Sequence, residues 1–363
     1  MAIRLGIIGT GVMAGEQSKH FKKMPGVELA SCFDTDGERA AAFAEQHGFN
    51  KAARSVKELL GDVDAVSIVT PDRFHHEGAL QVLKARKHLL CEKPLTLTLA
   101  EARDVNATYQ KAAKKGVIGM VNFSYRRSAA LQKAIELASS GALGEIRLAS
   151  GFYLQSWVAS PIWGPWTEER WLWRMQTSAG SGGVLGDVGC HLLDLATSVT
   201  GEVKRIRCWL GTFPKIGQDG KAYTKWKGKK LDANDTAVIE LELASGGMVV
   251  LHTSRWAGGH ANHLRLETHG TKGALRFDLD QDYNVLETCL GDDMANCPDK
   301  VNVKWTQHRL DPTPNNYSRF IAAIESGKID QPDIVRGAQI QAYMDACERS
   351  AKSNKWERVR RWA

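Results

Sequence analysis

Short apolar runs without helical period punctuate the first third of the chain. Residues 3–9 (IRLGIIG), 27–33, 65–70, 88–92 and 117–123 read as buried strands, because a strand covered on both faces shows no alternation. Between them, residues 35–48, 75–87 and 98–116 carry the spacing of amphipathic helices, the last closed by Gly116, a residue suited to a helix C-terminus. This alternation predicts a doubly wound parallel sheet, an arrangement that places ligands at the carboxyl ends of its strands. Thr70, Glu92 and Asn122 fall at such ends.

After residue 145 the period changes to two. Residues 146–154, 203–212, 236–243, 248–254, 262–269, 274–278 and 283–289 read as strands, several joined by tight turns such as 244–247 and 270–273. That pattern predicts a large, mostly antiparallel sheet. Positions 264, 266, 275 and 277 are apolar while 263, 265, 267, 269 and 276 are polar. One face is therefore expected to pack on helices while the other stays open. Residues 316–327 and 333–355 read as two closing helices.

Composition narrows the class. A length of 363 residues corresponds to about two domains of roughly 150 residues. With 43% hydrophobic and 25% charged residues, the chain is globular rather than disordered. No apolar run approaches the ~18 residues that would mark a transmembrane helix. The net charge of +7 is dispersed. Only 225–230 and 355–361 are locally basic, and neither lies in a nucleic-acid-binding motif. Seven cysteines, an odd number at irregular spacing without C-x-x-C, indicate reduced thiols and a cytoplasmic protein rather than a disulfide framework or zinc site. No metal is expected. His260, His263 and His269 are read as surface or interface, because 263 and 269 are too far apart on a strand to chelate.

The first strand runs into Gly9-Thr10-Gly11-Val12-Met13-Ala14. In this G-x-G-x-x-A pattern the first glycine permits the tight turn and the second admits a pyrophosphate. The alanine lets the helix pack closely on the strand, and the helix N-terminus faces the anion. The same glycines argue against a signal peptide in the apolar N-terminus. Asp34 ends the second strand about 20 residues on, where a carboxylate binds ribose hydroxyls. It would repel a 2′-phosphate and so favours NAD over NADP, although Arg39 nearby blurs that preference. Asp34 would equally cap the helix that follows.

A strand-end Glu92-Lys93-Pro94 after this motif and after Thr70-Pro71-x-x-x-His75 resembles the Gfo/Idh/MocA family of NAD(P)-dependent oxidoreductases. Residues 182–194 (GGVLGDVGCHLLD) match that family's second signature, and 125–146 resemble its crossover helix. The resemblance implies an N-terminal Rossmann domain over 1–123. It implies an α+β substrate-binding and oligomerisation domain over 124–315, and helices over 316–363 that return to the first domain. It implies that Lys93 stands beside nicotinamide and substrate, that His191 is the acid/base and that Asp187 lines the substrate pocket. Helical spacing puts Asp187 and His191 on one face. A histidine titrates near neutral pH, as a base for an alcohol should. The expected cofactor set is Gly9, Thr10, Gly11, Val12, Met13, Asp34, Arg39, Thr70, Pro71, His75, Glu92, Lys93 and Asn122. A metal reading of Asp187, His191 and Asp194 fails because the three would be strung along two turns, and Asp194 is read as structural.

Five of the 11 tryptophans, Trp157, Trp163, Trp166, Trp171 and Trp173, fall in one irregular stretch. Their faces suit the C–H surfaces of a sugar ring, and packing between elements is the equal alternative. Trp163, Arg126 and Arg174 join Lys93, Asp187 and His191 as expected substrate contacts. The arginines keep an anionic sugar among the candidates. The leading expectation is an NAD-dependent sugar or polyol dehydrogenase forming a homodimer or homotetramer through the open sheet. The runner-up is a glycosidase that oxidises, eliminates, hydrates and re-reduces with retained NAD. A non-catalytic sugar or NAD sensor ranks third.

Overall fold

The computed structural model describes residues 2–297 and 300–362. Two compact units emerge: Met1–Ser124 with Pro314–Gln341 and Arg361–Ala363, and Tyr125–Thr313 with Ala342–Arg360. The segment expected to return whole to the first domain is thus divided, with 342–360 belonging to the second unit.

In the first unit, β1 (Ile3–Ile8), β2 (Val27–Phe33), β3 (Lys51–Ala52), β4 (Ala65–Ile68), β5 (His88–Cys91) and β6 (Gly119–Val121) form a parallel sheet in the order β3-β2-β1-β4-β5-β6. The order reverses between β1 and β4, the switch point where open α/β sheets bind ligands. Helices α1 (Val12–Phe21), α2 (Gly37–His47), α3 (Val56–Asp62), α4 (His75–Lys84) and α5 (Leu99–Ala113) connect the strands. The capping chemistry is local. Asp36 and Ser55 accept from backbone N–H groups at the starts of α2 and α3, and Thr98 with Glu101 forms a capping box on α5. Neither β3 nor α3 was legible as a periodic run; both are short and half-exposed.

The second unit opens with α6 (Ala129–Ser139) and β7 (Ile146–Leu154). After these come α7 (Glu169–Leu172), α8 (Cys190–Thr200) and β8 (Val203–Gly211). Two small hairpins follow, β9 (Lys215–Ile216) with β10 (Ala222–Tyr223), and β11 (Lys225–Trp226) with β12 (Lys229–Lys230). Then come β13 (Thr236–Leu243), β14 (Met248–Ser254), β15 (His263–Gly270), β16 (Gly273–Asp278), β17 (Val285–Leu290) and β18 (Thr306–Arg309). Helix α9 (Asn316–Ser326) lies in the first unit, α10 (Ile334–Ser353) starts there and ends in the second, and β19 (Glu357–Arg358) closes the chain.

The large sheet has the order β18-β17-β16-β15-β7-β14-β13-β8-β19, and β14·β7 is its parallel pair. Alternation along β13, β14 and β15 buries Ile239, Leu241, Leu251, Leu264 and Leu266 on one face. The other face exposes Leu148, Trp209, Val238 and Val250, as period two requires.

The basic stretch 225–230 is the β11–β12 hairpin. Lys227 (φ +48°) and Gly228 (φ +77°) form its two-residue turn, the geometry that matches strand twist. Near these hairpins, Lys215 and Asp235 are fully buried and 2.6 Å apart, and Asp235 also accepts from the Phe213 amide at 2.9 Å.

Candidate active site

The nucleotide cradle is built by β1, α1 and β4. Gly9 has φ +94°, and a Cβ there would meet the Val69 carbonyl oxygen at 2.8 Å; only glycine fits. Gly11 is the N-cap of α1 in extended conformation, with no side chain capping the helix. A Cβ on it would face open space, and Val12 is 84% exposed. The first N–H groups of α1 are thus left without a capping side chain, at a helix N-terminus where an anion is stabilised. Thr70 Oγ1 is buried without a hydrogen-bond partner, at the end of the strand beside Gly9. These features fit a dinucleotide.

Asp34 lies where the second strand ends. Its Oδ2 accepts from the Thr10 amide (3.0 Å) and Thr10 Oγ1 (2.8 Å). Its Oδ1 accepts from Arg39 (2.5 Å) and the Asp36 amide (3.1 Å). Burial opposes the charge, but these donors prevail and hold the carboxyl down to about 2. Cap duty for α2 falls to Asp36, whose side chain accepts from the Arg39 amide, and not to Asp34.

Glu92 anchors the end of β5. Its Oε1 accepts from Gln17 Nε2 and Asn122 Nδ2, each at 2.7 Å, and Gln17 Oε1 accepts from Ser67 Oγ at 2.6 Å. Asn122 Oδ1 in turn accepts from Asn316 at 3.2 Å. Gln17 and Ser67 are fully buried and were not anticipated. A lone polar residue inside a helix or buried strand carries no local signal of its distant partner. Lys93 follows Glu92, its amide 3.3 Å from Glu92 Oε2. Pro71 is exposed, while His75 is fully buried between two carbonyls.

In the second unit, the segment carrying Asp187 and His191 begins as a π turn, Leu185–Gly189, and continues as α8. Single π turns within α-helices recur at functional sites. Gly183 (φ +63°) allows this start, since a Cβ there would meet the Asn234 side chain at 2.5 Å. Asn234 then accepts from the Leu185 amide at 3.1 Å. Asp187 lies on the π turn and His191 in the first turn of α8.

His191 is buried and faces two tyrosines. The Tyr125 ring stands perpendicular to it at 5.1 Å, and Tyr153 lies 6.3 Å away. The Tyr125 and Tyr153 hydroxyls are 2.5 Å apart, and Tyr153 donates to Asn262 Oδ1 at 2.6 Å. Tyr125 is therefore the donor to Tyr153. Burial raises both phenols, so both stay neutral donors.

Arg174 sits 4.5 Å above the Trp173 ring and 3.8 Å from Asp187. Arg126, expected at the substrate, instead makes a bidentate pair with Asp194, both contacts 2.7 Å and both side chains buried. The tryptophan stretch forms a core. Trp157 and Trp166 are buried with Leu172, Met175 and Leu231, and Trp163, Trp171, Trp226 and Trp256 pack around them. Trp166 donates to the Ile216 carbonyl at 2.6 Å. Of the two alternatives for this stretch, packing accounts for Trp157 and Trp166. His263 lies between His260 (2.9 Å) and Asp278 (2.8 Å). His269 reaches Glu267 instead.

Comparison with known proteins agrees with this fold. Residues 3–123 match an oxidoreductase family with an NAD-binding Rossmann fold, and residues 131–276 match the GFO/IDH/MocA C-terminal domain. The chain is 29% identical to levoglucosan dehydrogenase of Pseudarthrobacter phenanthrenivorans, over 81% of this chain and 77% of that protein. It is 30% identical to D-glucoside 3-dehydrogenase of Escherichia coli, over 69% and 70% respectively. The solved structure of levoglucosan dehydrogenase in complex with NADH superposes with a TM-score of 0.84 at 26% identity, covering 99% of this chain and 100% of that one. Among the described residues, no helix is long and apolar enough to cross a membrane.

Proposed function

Because the chain belongs to the Gfo/Idh/MocA family of NAD-binding sugar and polyol oxidoreductases, we propose that it oxidises a ring hydroxyl of a free sugar or polyol to a carbonyl. The observation that carries this reading is the buried His191, braced by Tyr125 and Tyr153 and set four residues after Asp187. NAD, when bound, supplies the hydride acceptor, held by the Gly9–Met13 turn and Asp34. His191 takes the hydroxyl proton as general base, Lys93 shares that transfer, and Asp187 orients the imidazole or a substrate hydroxyl. Arg174 stands close enough to Asp187 to meet the same substrate. Relatives named for levoglucosan and a D-glucoside support a cyclic carbohydrate as the substrate class. The apolar residues of the open sheet face, with Val238 paired to Trp209, support a homodimer or homotetramer through that face.

Cofactor stoichiometry tests the reading. A dehydrogenase makes one NADH per product, so absorbance rises with every turnover. The competing glycosidase cycle returns its hydride, so NADH stays at or below the enzyme concentration. It also exchanges the ring proton beside the oxidised carbon. Net NADH from a free sugar or polyol is the expected result. Hydrolysis of an aryl glycoside in deuterated water, with deuterium in the released sugar and no net NADH, would replace this reading by the glycosidase.

The cofactor preference follows from Asp34. Its carboxylate stays charged far below neutral pH and already meets Thr10, so a 2′-phosphate brought there faces a like charge. The half-exposed Arg39 is the donor that gives way to the ribose hydroxyls. NAD is expected to bind more tightly than NADP, and Asp34→Ser should improve NADP affinity by about tenfold or more, ~1.4 kcal/mol of removed repulsion. Fluorescence titration with both reduced cofactors measures this. Tighter NADP binding by the unmodified chain would assign the site to Arg39 instead.

A further inference from the structure

His75 opens α4 and is fully buried. Its Nδ1 lies 2.8 Å from the Pro94 carbonyl oxygen, and its Nε2 lies 2.9 Å from the Thr70 carbonyl oxygen. A carbonyl oxygen only accepts, and a neutral imidazole carries one N–H. In either neutral tautomer, one of these contacts would oppose two lone pairs at hydrogen-bond distance. The imidazolium, with a proton on each nitrogen, satisfies both.

The surroundings favour that state. Burial works against the charge, but Cys91, Asp72 and the Pro94 carbonyl outweigh it and push the group from 6.5 to about 10. Cys91 comes from β5 and Asp72 from the turn before α4. On α5, Asp104 is engaged by His76 at 2.9 Å.

Position gives the charge a role. β4 and β5 are adjacent, and their ladder ends at Ile68 opposite Cys91. Thr70 and Pro94 lie just beyond that last pair, where backbone pairing no longer holds the two segments together. We propose that His75 is a protonated positioning residue whose two N–H groups tie the Thr70-Pro71 segment to the Glu92-Lys93-Pro94 segment and thereby fix the site of the Lys93 ammonium. The kinetic consequence rests on the function proposed above; the protonation state does not.

Nuclear magnetic resonance of the full chain labelled with ¹⁵N-histidine tests the protonation directly. One histidine should show one-bond N–H couplings on both ring nitrogens, still present above the ordinary value of 6.5, and the signal should vanish in His75→Gln. A single protonated nitrogen would overturn the proposal, and this measurement needs only the unmodified chain. His75→Gln donates to one carbonyl and turns its own oxygen toward the other. Turnover should fall about tenfold, the kinetic equivalent of one buried acceptor left unsatisfied, with a smaller loss of NADH affinity.

The sign of the pH effect is fixed as well. A raised pKa stabilises the fold fully below 6.5 and loses that contribution as pH climbs toward about 10. The unmodified chain should therefore lose more Tm across that window than His75→Gln does. Doubly protonated His75 with unchanged turnover in a folded His75→Gln would sink the positioning role. A doubly protonated His75 in a chain that oxidises no carbohydrate would sink the function and leave the protonation standing.

Discussion

Replacing Lys93 with methionine is expected to lower turnover by about 10² or more while leaving NADH binding close to that of the unmodified chain, the scale for losing a positioned acid/base group. Methionine keeps the length and apolar stem of lysine and removes only the ammonium. The frame around the position survives, because Gln17 and Asn122 each hold Glu92 at 2.7 Å. The pyrophosphate cradle lies on Gly9 and α1 and is untouched. Steady-state turnover and a fluorescence titration with NADH separate the two effects. Lys93→Arg should not restore activity, since a guanidinium stays protonated at any working pH and cannot share a proton transfer. Near-normal turnover in Lys93→Met would remove Lys93 from the chemistry.

Arg126→Met should destabilise the second unit by about 3–5 kcal/mol, because it leaves the Asp194 carboxylate buried without its bidentate partner. At roughly 2–4 °C per kcal/mol for a unit of this size, Tm should drop by about 10 °C. The folded fraction should keep its KM for substrate. A substrate-binding arginine would behave in the opposite way, raising KM with little change in Tm. Calorimetry and substrate titration on one variant therefore decide between the two roles. The double variant Arg126→Met with Asp194→Leu should recover much of the loss, because removing both charges ends the desolvation penalty.

The two roles of Arg126 show where sequence reasoning stops. Its nearness in the chain to the site motifs suggested a substrate contact. Its actual partner is 68 positions away, and no local pattern encodes that distance. The tryptophans behaved similarly. Clustering along the chain was compatible with a sugar platform, yet Trp166 closes against the β9 backbone at Ile216, an insert too short and polar to announce itself as strands. The π turn at Leu185–Gly189 was invisible for a different reason. An apolar run suits α and π spacing alike, and the choice depends on Asn234 receiving the chain at Gly183.

Strand and helix positions were legible because periodicity records which side of a local element is buried. The runs at 27–33, 146–154, 236–243 and 248–254 coincide with β2, β7, β13 and β14, since each face of such a strand meets one environment along its whole length. The nucleotide turn was legible for a stereochemical reason, as Gly9 needs a backbone conformation that a side chain forbids. Hydrogen-bond partners of buried polar groups were not legible. Glu92 with Gln17, Arg126 with Asp194, and His75 with Thr70 and Pro94 are pairings that exist only once distant segments meet. A buried polar group must find a partner, but the sequence states the need and only the tertiary structure decides which neighbour meets it.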